Sequence, residues 1–254
     1  MIRIVLLLLA MLLALLVSSC QSMKTPGGET TGNGNVELVQ RHLDLAIGYL
    51  RNRDYQRAKE KLAKALDIEP KNANAHATYG LVFQLEGETD LAEAYFKQAV
   101  RYDSQSAQIR NSYGAFLFSE KRFHEAVDQL SKASEDRFYP NRPMVFENLG
   151  VAYDRIGDTE EAEHAFVRAT QLNPQQPRAL IELGEIRFGE RNYIESRDYY
   201  KRYSQVGPST AKSLWLCVRL GRIFQDNNEE ASCSQALEGL FPGSDEYHQY
   251  KEST

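Results

Sequence analysis

Residues 149–174 read LGVAYDRIGDTEEAEHAFVRATQLNP. Leu149, Gly150 and Tyr153 fall on one face of a helix, because residues three and four apart are neighbours on a helix surface. Ala162, Phe166 and Ala169 do the same on a second helix. Gly157-Asp158, between them, is a turn-prone pair. Pro174 stops the second helix. Gly150 lets the two helices approach closely, and the large residues fill the gap beside it. The stretch reads as one helical hairpin.

The hairpin recurs. Gly80, Gly114, Gly150 and Gly184 stand 34 or 36 residues apart, and Ala46 extends the series towards the N-terminus. Ala58, Ala92, Ala126, Ala162 and Ser196 keep the same spacing, always 12 residues later. The pattern resembles the tetratricopeptide repeat, whose signature runs L-G-x-x-Y, then A-x-x-x-F, then Pro. The resemblance implies an all-α fold, a right-handed superhelical solenoid of about six helix-turn-helix repeats. One hairpin buries too little apolar surface to stand alone, so stacked neighbours must close the core. The units fall near 39–72, 73–106, 107–142, 143–176 and 177–210, with a degenerate sixth at 211–243. The repeat domain covers 36–245, and 246–254 is expected to be a short frayed tail. The fifth unit is expected to have a weaker first helix, because Arg187 stands where an aromatic belongs. The third unit is two residues too long, at 137–143. This insertion is expected to form a stiff loop, with Phe138 and Tyr139 either a contact surface or packed on neighbouring helices.

The first residues differ in kind. Ile4 to Val17 is an unbroken apolar run, followed by Ser18, Ser19 and Cys20. A run this short is a signal-peptide core and not a membrane span. Val17-Ser18-Ser19-Cys20 looks like a bacterial lipobox. That resemblance implies removal of residues 1–19 and acylation of Cys20; the other reading is a plain secretory signal. Gln21, where an Asp would suggest inner-membrane retention, favours the inner leaflet of the outer membrane. Residues 20–35 carry four glycines and Pro26 and read as a flexible tether.

Composition excludes several classes. The net charge of −5 gives no electrostatic case for nucleic acid. There is no H-E-x-x-H, G-x-S-x-G, Walker loop or dinucleotide fingerprint. The five histidines lack metal-ligand spacing. No catalytic residue, metal, cofactor or small-molecule substrate is expected, and the chain reads as a binding scaffold. Beyond Cys20 only Cys217 and Cys233 remain. They fall on opposite helices of the last hairpin, and an oxidising compartment favours a disulfide over two buried thiols.

In such an array the first helices line the concave side. Groove positions are then Leu43, Ile47 and Leu50 in the first unit and Asn74, Ala77, Leu81 and Leu85 in the second. Asn111, Ala115 and Phe118 follow in the third. In the fourth, Glu147, Val151 and Asp154 replace them. An apolar stripe is therefore expected over the first three units, and such a stripe marks a partner site. The alternative is that the helix at 36–51 is simply better buried. The Lys and Asn clamp by which some of these repeats hold a C-terminal carboxylate is absent, since Leu43 and Ile47 take its first positions. A helix or extended segment with apolar anchors suits the groove better.

A lipobox, a short Gly-rich tether and repeats filling the remaining chain are together similar to the PilF/PilW-type lipoproteins of type IV pilus biogenesis. Residues 95–99 (YFKQA) and 240–244 (LFPGS) support the likeness. It implies a pilotin at the periplasmic face of the outer membrane. Such a protein binds secretin subunits and helps them reach that membrane and multimerise. The rival expectation is a lipoprotein adaptor for cell-wall enzymes or for outer-membrane barrel assembly.

Overall fold

The structure is a computed structural model that describes residues 30–253. The signal segment, Cys20 and most of the expected tether lie outside the described residues. The described chain is helical throughout. Six hairpins follow in order: α1 Thr30–Arg51 with α2 Tyr55–Ile68, α3 Ala73–Glu86 with α4 Thr89–Tyr102, and α5 Ala107–Ser119 with α6 Phe123–Ser134. Then come α7 Arg142–Ile156 with α8 Thr159–Leu172, α9 Pro177–Gly189 with α10 Tyr193–Val206, and α11 Ala211–Phe224 with α12 Asn227–Leu240. A last short helix, α13, spans Asp245–Glu252.

The turns show why the register is so regular. Each of the six contains one residue in the left-handed region: Arg53, Gly87, Lys121, Gly157, Arg191 and Gln225. The next residue donates its N–H to the carbonyl five positions back, as in Asp54 to Tyr49 (2.9 Å) and Asp158 to Tyr153 (3.0 Å). This is the Schellman ending, which satisfies carbonyls at the end of a helix. Only two of the six turns use glycine. Most second helices are then started by a side-chain cap, such as Asp54, Asp158, Asn192 or Asp226.

The small residues are crossing points. A Cβ on Gly80 would meet the Phe96 ring at 3.0 Å, on Gly114 the Leu130 side chain at 2.7 Å, and on Gly150 the Phe166 ring at 2.7 Å. Phe96, Leu130 and Phe166 are fully or almost fully buried. The fifth and sixth hairpins depart from this. Gly184 faces Leu216 of the following unit, and Ser196 donates its hydroxyl to the Gly184 carbonyl at 2.8 Å. In the sixth the close approach moves to Gly221 against the backbone of Glu230.

Successive first helices touch one another along the array: α1 with α3, α3 with α5, α5 with α7, α7 with α9 and α9 with α11. Among the described residues the backbones of successive second helices stay apart, and Tyr200 of α10 reaches Cys233 of α12 only through its side chain, at 3.8 Å. The first helices are therefore the inner, closer-packed wall, and the second helices splay outside.

Four expectations change. The tether is helical from Thr30, so α1 begins inside it. The tail does not fray: Ser244 caps α13, and Tyr247 and Tyr250 pack on the last hairpin. Arg187 does not weaken α9; it is well buried and pairs with Glu163, Glu190 and Glu195, tying the fourth hairpin to the fifth. In the insertion, Tyr139 is half-buried against the core while Phe138 is 95% exposed.

Candidate partner-binding groove

Seen column by column, the inner wall has a seam and an open face. The column Leu43, Ala77, Asn111, Glu147, Ile181, Trp215 follows the repeat register. Leu43 is buried in the first core cluster, among Ala75, Tyr79 and Val82 of α3. Ala77 is buried with Ile109 of α5. Asn111 accepts from Asn148 of α7 at 3.1 Å. Glu147 accepts from the Ala179 N–H of α9 at 2.9 Å and from Gln176 at 3.2 Å. Leu43, Ala77 and Glu147 are thus corrected: they are not groove surface but the seam where each first helix meets the next. For α1, burial explains Leu43, as the alternative reading held.

Glu147 is the costly member of that seam. Burial pushes its carboxyl above the usual carboxylate range, opposed by the backbone donors at the start of α9. A buried carboxylate survives there because it closes orphan N–H groups at a helix start.

The open face of the first half is apolar. Ile47, Leu50 and Leu81 are half-buried, and Leu85 is 57% exposed. Asn74 and Ala115 are exposed. Phe118 is half-buried against Phe123, ring centroids 5.2 Å apart. Ala115 and Phe118 continue into a cavity of about 210 Å³ floored by Val151 and rimmed by Asn148 and Arg178. A donor from Gln84 to Ser119 (3.1 Å) bridges α3 and α5 beside it.

The second half was not anticipated. Following Leu81 by the repeat period leads to Ala115, Val151, Glu185 and Arg219. Apolar groove residues become an ion pair, Arg219 with both oxygens of Glu185. Lys212 pairs with Glu182 at 2.9 Å. Burial holds the Glu185 carboxyl above its ordinary value, against the pull of Arg219. The Arg219 guanidinium lies 4.4 Å from the Phe188 ring centroid and 5.2 Å from that of Trp215. Glu182, Glu185, Lys212, Trp215 and Arg219, with Asp154, Ile186 and Glu246, line a cavity of about 420 Å³. One side of it is α13, whose Tyr250 stands edge-on to Trp215 and under Arg222. Extending the register through two more units was the signal that finds this half.

Cys217 and Cys233 face each other across the last hairpin, Cα atoms 6.1 Å apart, joined as a disulfide. Among the described residues no cluster of His, Cys, Asp and Glu is placed to hold a metal ion, and no helix is long and apolar enough to cross a membrane.

Comparison with known proteins follows the same lines. The tetratricopeptide-repeat family model matches residues 43–99, 84–143 and 148–209. The type IV pilus assembly protein PilF of Pseudomonas aeruginosa is 37% identical over 243 residues, covering 96% of each chain. A solved structure of Pseudomonas aeruginosa PilF superposes with a TM-score of 0.84 at 38% identity, over 87% of this chain and 100% of that one. The structure of PilW, described as a widely conserved type IV pilus biogenesis factor, gives 0.70 at 27% identity, over 84% and 98%.

Proposed function

The chain belongs to the PilF family of type IV pilus assembly proteins, a family of tetratricopeptide-repeat scaffolds and not of enzymes, and from that premise we propose that it is an outer-membrane lipoprotein acting as a pilotin for the pilus secretin. Acyl chains on Cys20 hold it to the inner leaflet of the outer membrane. The open apolar face of the first three hairpins receives an extended or helical secretin segment. Two or more acyl chains anchor firmly where one binds only marginally. The scaffold then keeps bound secretin at high effective concentration beside the membrane where it multimerises. No covalent step is involved.

The observation that carries this reading is the exposed Leu85 beside Ile47, Leu50, Leu81, Ala115 and Phe118. Apolar side chains left in a concave wall lose water when a matching segment binds. The Cys217–Cys233 bond belongs to the proposal as a staple on the degenerate last hairpin, formed in the oxidising periplasm. The test is a secretin multimer assay in cells. Leu85→Glu abolishes multimers without unfolding the protein, and Cys20→Ala releases a soluble chain and mislocalises the secretin. Unchanged multimers with Leu85→Glu assign binding to another surface. Outer-membrane multimers with Cys20→Ala remove lipidation from the mechanism.

A further inference from the structure

Charge is spread unevenly along the inner wall. The column that contains Asn74 runs Gln40, Asn74, Gln108, Met144, Arg178, Lys212. It is uncharged over the first four hairpins. Lys212 is neutralised by Glu182 at 2.9 Å. Arg178, in the first turn of α9, is exposed, and among the described residues its guanidinium makes no hydrogen bond or ion pair. Glu147 feels its charge, but both Glu147 oxygens are already taken, by the Ala179 N–H and by Gln176. The start of a helix is also the end where the backbone dipole disfavours a cation. The fold therefore gains nothing from this guanidinium.

Arg178 borders the cavity of about 210 Å³ in the apolar face. The other walls are Ala115 and Phe118 of α5, Leu130 of α6, and Asn148 and Val151 of α7. Arg178 is the one charged residue among these six. The volume lies below the range of ordinary small-molecule sites, about 300–1,000 Å³, and suits one large apolar side chain. The amides beside it are fixed, since Asn148 Nδ2 donates to Asn111 Oδ1 at 3.1 Å. Asn148 keeps its carbonyl oxygen and Asn111 its two N–H groups, unused by any other side chain of the described residues. Such groups hold the amides of an extended backbone. An apolar floor, spare amide groups and an uncompensated guanidinium thus stand in one row.

We infer that the groove takes an extended segment in which an apolar side chain fills this cavity and a neighbouring Asp or Glu reaches Arg178. This rests on the reading that the apolar face receives the secretin, and it adds the charge that the segment must carry. A guanidinium fork matches a carboxylate through two parallel hydrogen bonds. No second cation lines the cavity to close round a chain end, so the carboxylate is that of a side chain. A pair at an exposed rim adds little affinity and mainly sets register and partner choice.

The test titrates the mature chain, by fluorescence anisotropy, into overlapping peptides that cover the periplasmic part of the secretin, both ends blocked. The groove ligand is a peptide bound by the wild type and lost with Leu85→Glu. It carries an apolar residue with Asp or Glu close by. Replacing that acid with its amide weakens binding about fivefold and flattens the salt dependence. Arg178→Gln, a change at an exposed position, does the same, and the two together cost no more than either alone. Ala115→Phe fills the cavity from its exposed side and releases the peptide. If a peptide needs Leu85 but the acid replacement costs as much in Arg178→Gln as in the wild type, the inference is overturned and the groove reading stands. Retained binding to Ala115→Phe, or binding only of peptides with a free C-terminus, overturns it likewise. If no peptide depends on Leu85, both fall.

Discussion

The first three hairpins and the last two share one backbone plan and differ in much of what is placed upon it. In the first half a single large side chain under each small residue fixes the crossing: Leu62, Phe96, Leu130. The groove above is apolar and open. In the last two hairpins the crossing is irregular, the wall carries the pairs Arg219–Glu185 and Lys212–Glu182, Arg187 ties α9 to the second helices α8 and α10, and α13 covers part of the wall. Regular repeats can leave apolar surface free because their cores are self-sufficient. The degenerate end is held by charge pairing, a disulfide and its own tail.

This contrast is open to attack at several places. Phe96→Ala, in the regular half, is expected to cost about 3–5 kcal/mol in urea unfolding, because a fully buried ring leaves a cavity. A cost near zero would mean that the crossing point is not what holds that half. Next in size is the staple. Reducing Cys217–Cys233, whose separation is 16 residues, is expected to remove about 3 kcal/mol in the loop-entropy account. Hydrogen exchange would locate the loss at α11 to α13, with α1 to α6 unchanged. A uniform loss would contradict the division of the molecule.

Glu147 separates the halves chemically. Glu147→Ala leaves the Ala179 N–H without its partner and is expected to cost about 1–3 kcal/mol. Glu147→Gln keeps an acceptor and loses little. The sign with pH follows from the raised carboxyl. The folded state holds the proton more tightly than the unfolded chain, so this group favours folding most in acid. That contribution falls as pH climbs from about 4 towards neutrality. Glu93 and Glu125 in the first half behave oppositely. Lys97 holds Glu93 below the usual range, and Arg122 does so for Glu125. Their contribution is present above that range and is lost on acidification. Unfolding followed against pH should show that Glu147→Gln removes a loss of stability towards neutral pH; an unchanged profile would show that Glu147 is not the group responsible.

The smallest effect concerns the turns. Lys121 adopts φ 60° where Gly87 and Gly157 sit in the equivalent turns. Lys121→Gly is expected to raise stability by up to about 1 kcal/mol, since glycine enters this conformation without steric cost. A clear loss would show that the Lys121 side chain contributes packing that outweighs the strain.

The hairpins were legible because small and large crossing residues recur at a fixed period, as Gly150 and Phe166 do. The turns were legible from turn-prone residues such as Gly87-Glu88, Gly157-Asp158 and Arg191-Asn192, while the left-handed residue of the last turn, Gln225, lies one position before the expected Asp226-Asn227-Asn228. The seam was not. Leu43, Ala77 and Glu147 sit at inward positions, and only the contact between successive first helices decides whether inward means groove or buried joint. The charged wall was hidden for a different reason. Glu185 and Arg219 read singly as solvated charges, and their pairing appears only when the fifth and sixth units are stacked. The last helix gave a short signal, Ser244 as cap with Tyr247 and Tyr250 three apart, too brief to oppose the usual fraying of a chain end.

The central claim is that the apolar wall of the first three hairpins, and not the charged wall beyond it, receives the secretin. A photoreactive residue introduced at Leu85, and separately at Glu182, tests it in cells assembling pili. The account predicts secretin cross-linked from position 85 and none from position 182. Cross-links from 182 alone would contradict it.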